Sequence, residues 1–79
     1  MLKVGEVYQY TAQSYNVTFI VMSTCECPNN GKGFMVTIIG GSIKSVIGKE
    51  MDVFEYSSMC RDSTFLQTEE ADLLRLIYG

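Results

Sequence analysis

The sequence predicts a mainly β or α+β domain: a small antiparallel barrel, or a strongly bent sheet of roughly four to six strands, with a C-terminal helix. Three observations predict it. Short stretches rich in Val, Ile, Thr, Tyr and Phe alternate apolar with polar residues. Glycines and a single proline punctuate those stretches at short intervals. Over the last dozen residues the apolar period changes from that of a strand to that of a helix.

A chain of 79 residues reads as one domain, residues 1–79, near the lower end of what folds without covalent staples. Apolar residues make up 47% and charged residues 19%, which argues against disorder. A domain this small cannot hide every large apolar side chain, so some are expected on the surface or against a second copy or partner.

The first strand is expected over Val4–Thr11, with Val4, Tyr8 and Tyr10 largely on one face. The second runs from Tyr15 to Cys25. Val17, Phe19 and Val21 alternate there with Thr18, Ile20 and Met22, and apolar residues on both faces predict a central strand covered on two sides. The segment "STCECPNNGKG", Ser23–Gly33, reads as the connection to the next strand, Phe34–Ile39. Pro28 ends the outgoing strand because it has no N–H to give to a ladder.

Gly40-Gly41 is a hairpin signal, with Ile43–Ile47 as the returning strand. Met51–Met59 fits either a strand carrying Val53 and Phe54 or a single helical turn. Ser63–Gln67 reads as a last short strand. In "QTEEADLLRLIYG", Thr68 is a good N-cap, Glu69 and Glu70 suit the positive end of a helix dipole, and Arg75 lies in a late turn. The spacing predicts a helix over Glu69–Tyr78. Its apolar residues Leu73, Leu74, Leu76 and Ile77 are expected to pack on the sheet or, alternatively, to dock on a partner.

Composition narrows the function. The chain has no histidine, so a nucleophile-and-base scheme would have to rely on Asp, Glu or Lys. Glu50, Asp52 and Glu55 are close in sequence, but their spacing does not force them together, and they read as a solvated polar face. No enzymatic activity and no cofactor are expected. A net charge of −3 with only six scattered Lys and Arg disfavours a nucleic-acid binder. No run is long and apolar enough for a membrane span, and the first residues show no basic-then-apolar signal pattern. The expected compartment is the cytoplasm, where cysteines stay reduced.

The opening "KVGEVYQY" resembles the start of KOW-type and related SH3-like small β-barrels, in which a glycine precedes an acidic residue and a β-branched pair. The resemblance covers about eight residues and implies a small barrel. Nucleic-acid binding is not carried over from it, because the basic character and the later glycine pattern of KOW modules are missing. The compact, apolar, low-charge whole resembles small accessory proteins of tailed bacteriophages. That resemblance implies residence in a host cytoplasm and a viral protein that inhibits or modulates a partner.

Candidate binding residues fall in three groups. Asn30, Gly31, Lys32 and Gly33, and again Gly41, Ser42 and Lys44, combine turn amides with a lysine and suit an anionic small molecule such as a nucleotide; ordinary turn chemistry also explains them. Tyr8, Tyr10 and Tyr56 could stack on bases, but without basic neighbours core and interface packing is the plainer reading. Cys25, Cys27 and Cys60 are weak metal candidates, because a closed tetrahedral site needs a fourth ligand and the Cys-x-Cys spacing is unusual. Small core or surface residues are the plainer reading of those thiols. Asn16-Val17-Thr18 matches the glycosylation triplet but lies inside a predicted strand. A non-catalytic, self-associating binding protein is the expected function. A nucleotide-binding protein and a nucleic-acid-binding module are the alternatives.

Overall fold

A computed structural model describes residues 2–29 and 31–78, with the side chain of Cys27 also outside the description. Among the described residues, five strands form one antiparallel sheet: β1 (Val7–Thr11), β2 (Asn16–Cys27), β3 (Gly31–Gly41), β4 (Glu50–Phe54) and β5 (Thr64–Phe65). Two helices accompany them, α1 (Ser58–Asp62) and α2 (Glu69–Tyr78). The order across the sheet is β4-β3-β2-β1-β5, so the sheet stays open, with β4 and β5 at its edges.

β2 is the central strand, as its two apolar faces require. Phe19, Ile20 and Val21 are consecutive and all fully buried. Because successive side chains point to opposite faces, such a run needs cover on both sides. One face carries the larger cluster, in which Tyr8, Phe19, Val21, Phe34, Val36, Ile38 and Val53 pack with Cys60 of α1. The other carries Val7 and Ile20 beneath Ala71 of α2, with Ile39, Leu66 and Leu74 around them. Register shifts after Thr18 and after Val21 interrupt the β2–β3 ladder and allow the long hairpin to twist.

The β2–β3 hairpin extends further into "STCECPNNGKG" than the sequence suggests. Cys25 pairs with Gly33 and Cys27 with Gly31, and Pro28 and Asn29 lie in the turn. Residue 30 itself lies outside the described residues. The first strand is shorter than expected at its N-terminal end: Val4 sits in a turn and is exposed, and pairing starts at Val7.

Gly40-Gly41 is not a hairpin turn, and Ile43–Ile47 is not a strand. β3 runs through both glycines, pairing Gly40 with Thr18 and Gly41 with Val17. Gly41 holds φ +124°, and a Cβ there would meet the carbonyl oxygen of Asn16 and, at 2.7 Å, the Cα of Val17. The Gly41 residue therefore lets β3 end tight against β2. Beyond it, Lys44–Val46 forms one 3₁₀ turn, which tucks Val46 towards the larger cluster. Alternating Ile43, Ser45 and Ile47 suited a strand, but the amides of Val46 and Ile47 bond back to the carbonyls of Ile43 and Lys44 within the turn. The returning strand is β4, paired from Gly33↔Phe54 to Thr37↔Glu50.

The ambiguous stretch Met51–Met59 divides into a strand and a helix. β4 ends at Phe54, and Ser57 then caps α1 by accepting the Cys60 N–H at 3.3 Å. The C-terminal helix occupies Glu69–Tyr78, the predicted bounds. Thr68 caps it as expected, its Oγ1 accepting the Ala71 N–H at 3.1 Å.

Candidate functional site

The two glycine loops stand at opposite ends of β3. A strand rises about 3.3 Å per residue, so Gly31 and Gly41 are separated by roughly 30 Å and cannot share one ligand. At the first end, Lys32 lies cross-strand from Glu26 and lines a cavity of about 410 Å³ with Glu26, Glu55, Thr24 and Phe34. Two carboxylates beside one ammonium leave the local field negative, which does not favour phosphate. Gly33 is buried in the ladder with its neighbours in β2 and β4. Asn30 lies outside the described residues.

At the second end the polar groups are already engaged. The Ser42 amide donates to the Asn16 carbonyl at 3.0 Å, and the Ser42 hydroxyl accepts the Asn16 N–H at 3.0 Å. The amides of Val46, Ile47 and Lys49 are used within the 3₁₀ turn and its exit. Gly41 and Ser42 thus hold the end of the sheet together, while Lys44 opens the 3₁₀ turn and its carbonyl accepts the Ile47 N–H at 3.3 Å.

The three tyrosines serve different places. Tyr8 is a core residue, stacked on Phe19 with ring centroids 5.8 Å apart, and its hydroxyl accepts the Lys3 N–H at 2.8 Å. Tyr10 shares a hydrogen bond of 3.1 Å with Ser58 and meets Tyr15 edge-on, which ties β1 to α1. Tyr56 is exposed and lies flat on Phe54, centroids 5.8 Å apart, just beyond β4. They make no common stacking platform.

Cys60 is buried among the apolar side chains under α1, whereas Cys25 lies on β2 near the turn end of the hairpin. The side chain of Cys27 lies outside the described residues. Among the described residues, no three His, Cys, Asp or Glu side chains come close enough together to hold a metal. No helix is long and apolar enough to cross a membrane among them.

The surface that gathers exposed apolar side chains is α2. At 100° per residue, Ala71, Leu74, Arg75 and Tyr78 fall on one side of the helix and Leu73, Leu76 and Ile77 on the other. The first set faces the sheet through buried Ala71 and half-buried Leu74. The second is left in solvent, with Leu73 60%, Leu76 82% and Ile77 72% exposed. Glu69, Glu70 and Asp72 flank it in the first turns. No protein-family model, no curated protein and no solved structure matches this chain.

The helix is held in this orientation by Arg75. Its guanidinium donates to Glu6 Oε2 at 3.0 Å, to Asp72 Oδ1 at 2.6 Å and to the Leu66 carbonyl at 2.6 Å, and it lies 5.3 Å over the Phe65 ring. An amphipathic helix pinned by a polar clamp, with its apolar stripe turned outward, is built for contact. The sequence presents Leu73, Leu74, Leu76 and Ile77 as one stripe. Ala71 and Arg75, which decide the inward side, carry no hydrophobic signal.

Proposed function

We propose that this chain is a non-catalytic binding protein that self-associates through the outer face of α2 and acts by occupying and modulating a partner protein. The exposed row of Leu73, Leu76 and Ile77 carries this reading, because three neighbouring large apolar side chains on one helix face offer a second copy or a partner apolar surface to bury. The chain supplies no histidine for acid–base work.

Two copies related by a two-fold axis would cross their α2 helices antiparallel on the outer face that carries Leu76. That crossing sets Leu73, Leu76 and Ile77 of each copy against the other. It also keeps the acidic first turns at the far ends, so like charges do not meet. One short helix face is less than a standard interface, so the association is weak and concentration-dependent.

Sedimentation velocity from micromolar to millimolar protein tests it. A rising sedimentation coefficient that Leu76→Glu abolishes, with the circular dichroism spectrum unchanged, is the expected result. A single monomer boundary at every concentration would sink the self-association reading.

A further inference from the structure

The geometry points to a second binding surface at the opposite edge of the sheet: the free side of β4, shaped to accept an extended peptide as a sixth strand, with basic and apolar residues alternating along it. This goes beyond the α2 reading, and neither depends on the other.

The backbone of β4 settles which groups are available. The Ile38 N–H donates to the Lys49 carbonyl at 2.9 Å, and the Glu55 N–H donates to the Lys32 carbonyl at 3.1 Å. Both pairs fit the single register that joins β3 to β4. Hydrogen-bonded and non-bonded pairs alternate along an antiparallel ladder, so Met51 and Val53 turn both their polar groups to β3, flanked by the Lys49 carbonyl and the Glu55 N–H. Glu50, Asp52 and Phe54 turn theirs outward. The Phe54 carbonyl accepts the Ser57 N–H at 2.9 Å. Among the described residues the other five outward groups, N–H and C=O of Glu50 and Asp52 and the N–H of Phe54, have no backbone partner, because no strand lies beyond β4.

The side chains specify the occupant. Met51 and Val53 lie opposite Val36 and Phe34 and share the α1 face of the sheet. Beside them runs a mostly apolar hollow of about 140 Å³, lined by Met51, Val53, Phe54, Tyr56 and Met59, with Asp52 and Ser57 also in its wall. Glu50 and Asp52 lie opposite Thr37 and Met35 on the other face, both exposed, and among the described residues neither has an ion-pair partner. A strand laid along this edge would place one apolar side chain in the hollow and its two neighbours beside the carboxylates. Lys or Arg at those neighbouring positions completes cross-strand pairs.

A second copy of β4 is the wrong occupant. Centred on Asp52, a symmetric antiparallel pair sets Asp52 against Asp52. Centred on Met51, it sets Glu50 against Asp52. Charged edge residues of this kind block pairing between like strands. The same charges select a basic strand.

The test uses the whole chain and a fluorescein-labelled peptide of alternating Lys and Val. A Glu-Val peptide and a peptide with the same Lys and Val in two blocks serve as controls. The expected result is salt-sensitive binding by anisotropy for the alternating Lys peptide alone, with slowed amide exchange at Glu50, Asp52 and Phe54. Glu50→Gln with Asp52→Asn should weaken it about three- to tenfold, the sum of two cross-strand charge pairs. Asp52→Pro removes an outward N–H without touching the β3–β4 ladder and should weaken binding by about tenfold or more. No binding, equal binding of the Glu-Val peptide, or protection confined to α2 would each overturn the proposal. So would slowed exchange at these amides on raising the protein concentration alone, which would assign the edge to a second copy.

Discussion

Arg75 Nε lies 3.0 Å from Glu6 Oε2, a contact between residues 69 apart in sequence that fastens the C-terminal helix to the turn before β1. The side chains are only 19% and 32% exposed, so the pair is less screened than a surface salt bridge. The same guanidinium also takes the Leu66 carbonyl and covers Phe65. Arg75→Ala should therefore cost about 1–3 kcal/mol, and Arg75→Lys should recover only part, since an ammonium has neither the fork nor the flat face. Urea unfolding measures the loss, and amide exchange should place it in residues 69–78. Unchanged protection of α2 in Arg75→Ala would show that apolar packing alone holds the helix.

Phe19 fills the centre of the larger cluster, fully buried and stacked on Tyr8. Phe19→Ala should cost about 3–5 kcal/mol through lost burial and the cavity left behind. A domain of this size has roughly 4–12 kcal/mol in total, so the variant should lose from about a quarter to all of its stability. Thermal denaturation followed by circular dichroism checks this. A midpoint within a few degrees of the parent would mean that the cluster closes over the gap.

How far the fold could be read from residues depended on whether its signals were local. β2 announced itself because Phe19, Ile20 and Val21 are apolar on both faces, and only a central strand covers both. α2 was legible to its ends because Thr68 is a local cap and the period of its apolar residues changes there. The segment Ile43–Ile47 misled because alternation alone does not say whether a neighbouring strand is available. The contact of Arg75 with Glu6 has no local trace. The β4 edge is a middle case: Glu50, Met51 and Asp52 alternate visibly in sequence, yet only topology makes them an edge.

Thr68 sits outside the packed core, and its hydroxyl serves the Ala71 N–H. Thr68→Ala should cost about 1 kcal/mol, and Thr68→Ser or Thr68→Asp should cost little, since either still offers an oxygen to the first turn. Urea midpoints for the three variants give the comparison. Equal losses in all three would point to the methyl group as the contributor and remove the capping account.

Gly41 and Gly48 both hold positive φ, +124° and +90°, but their surroundings differ. Nothing lies within 4 Å of a Cβ built on Gly48, so Gly48→Ala should cost only backbone strain, roughly 1–2 kcal/mol. At Gly41 the same methyl group would fall on the backbone of Asn16 and Val17, which cannot rotate away as a side chain could. Relief requires β2 and β3 to separate where Ser42 bonds to Asn16. Gly41→Ala should therefore cost about 3 kcal/mol or more and raise amide exchange at Val17 and Ser42. Paired thermal melts of the two variants decide it. If both lose the same amount, the close approach of the strands contributes nothing and the glycine at 41 is present for its φ alone.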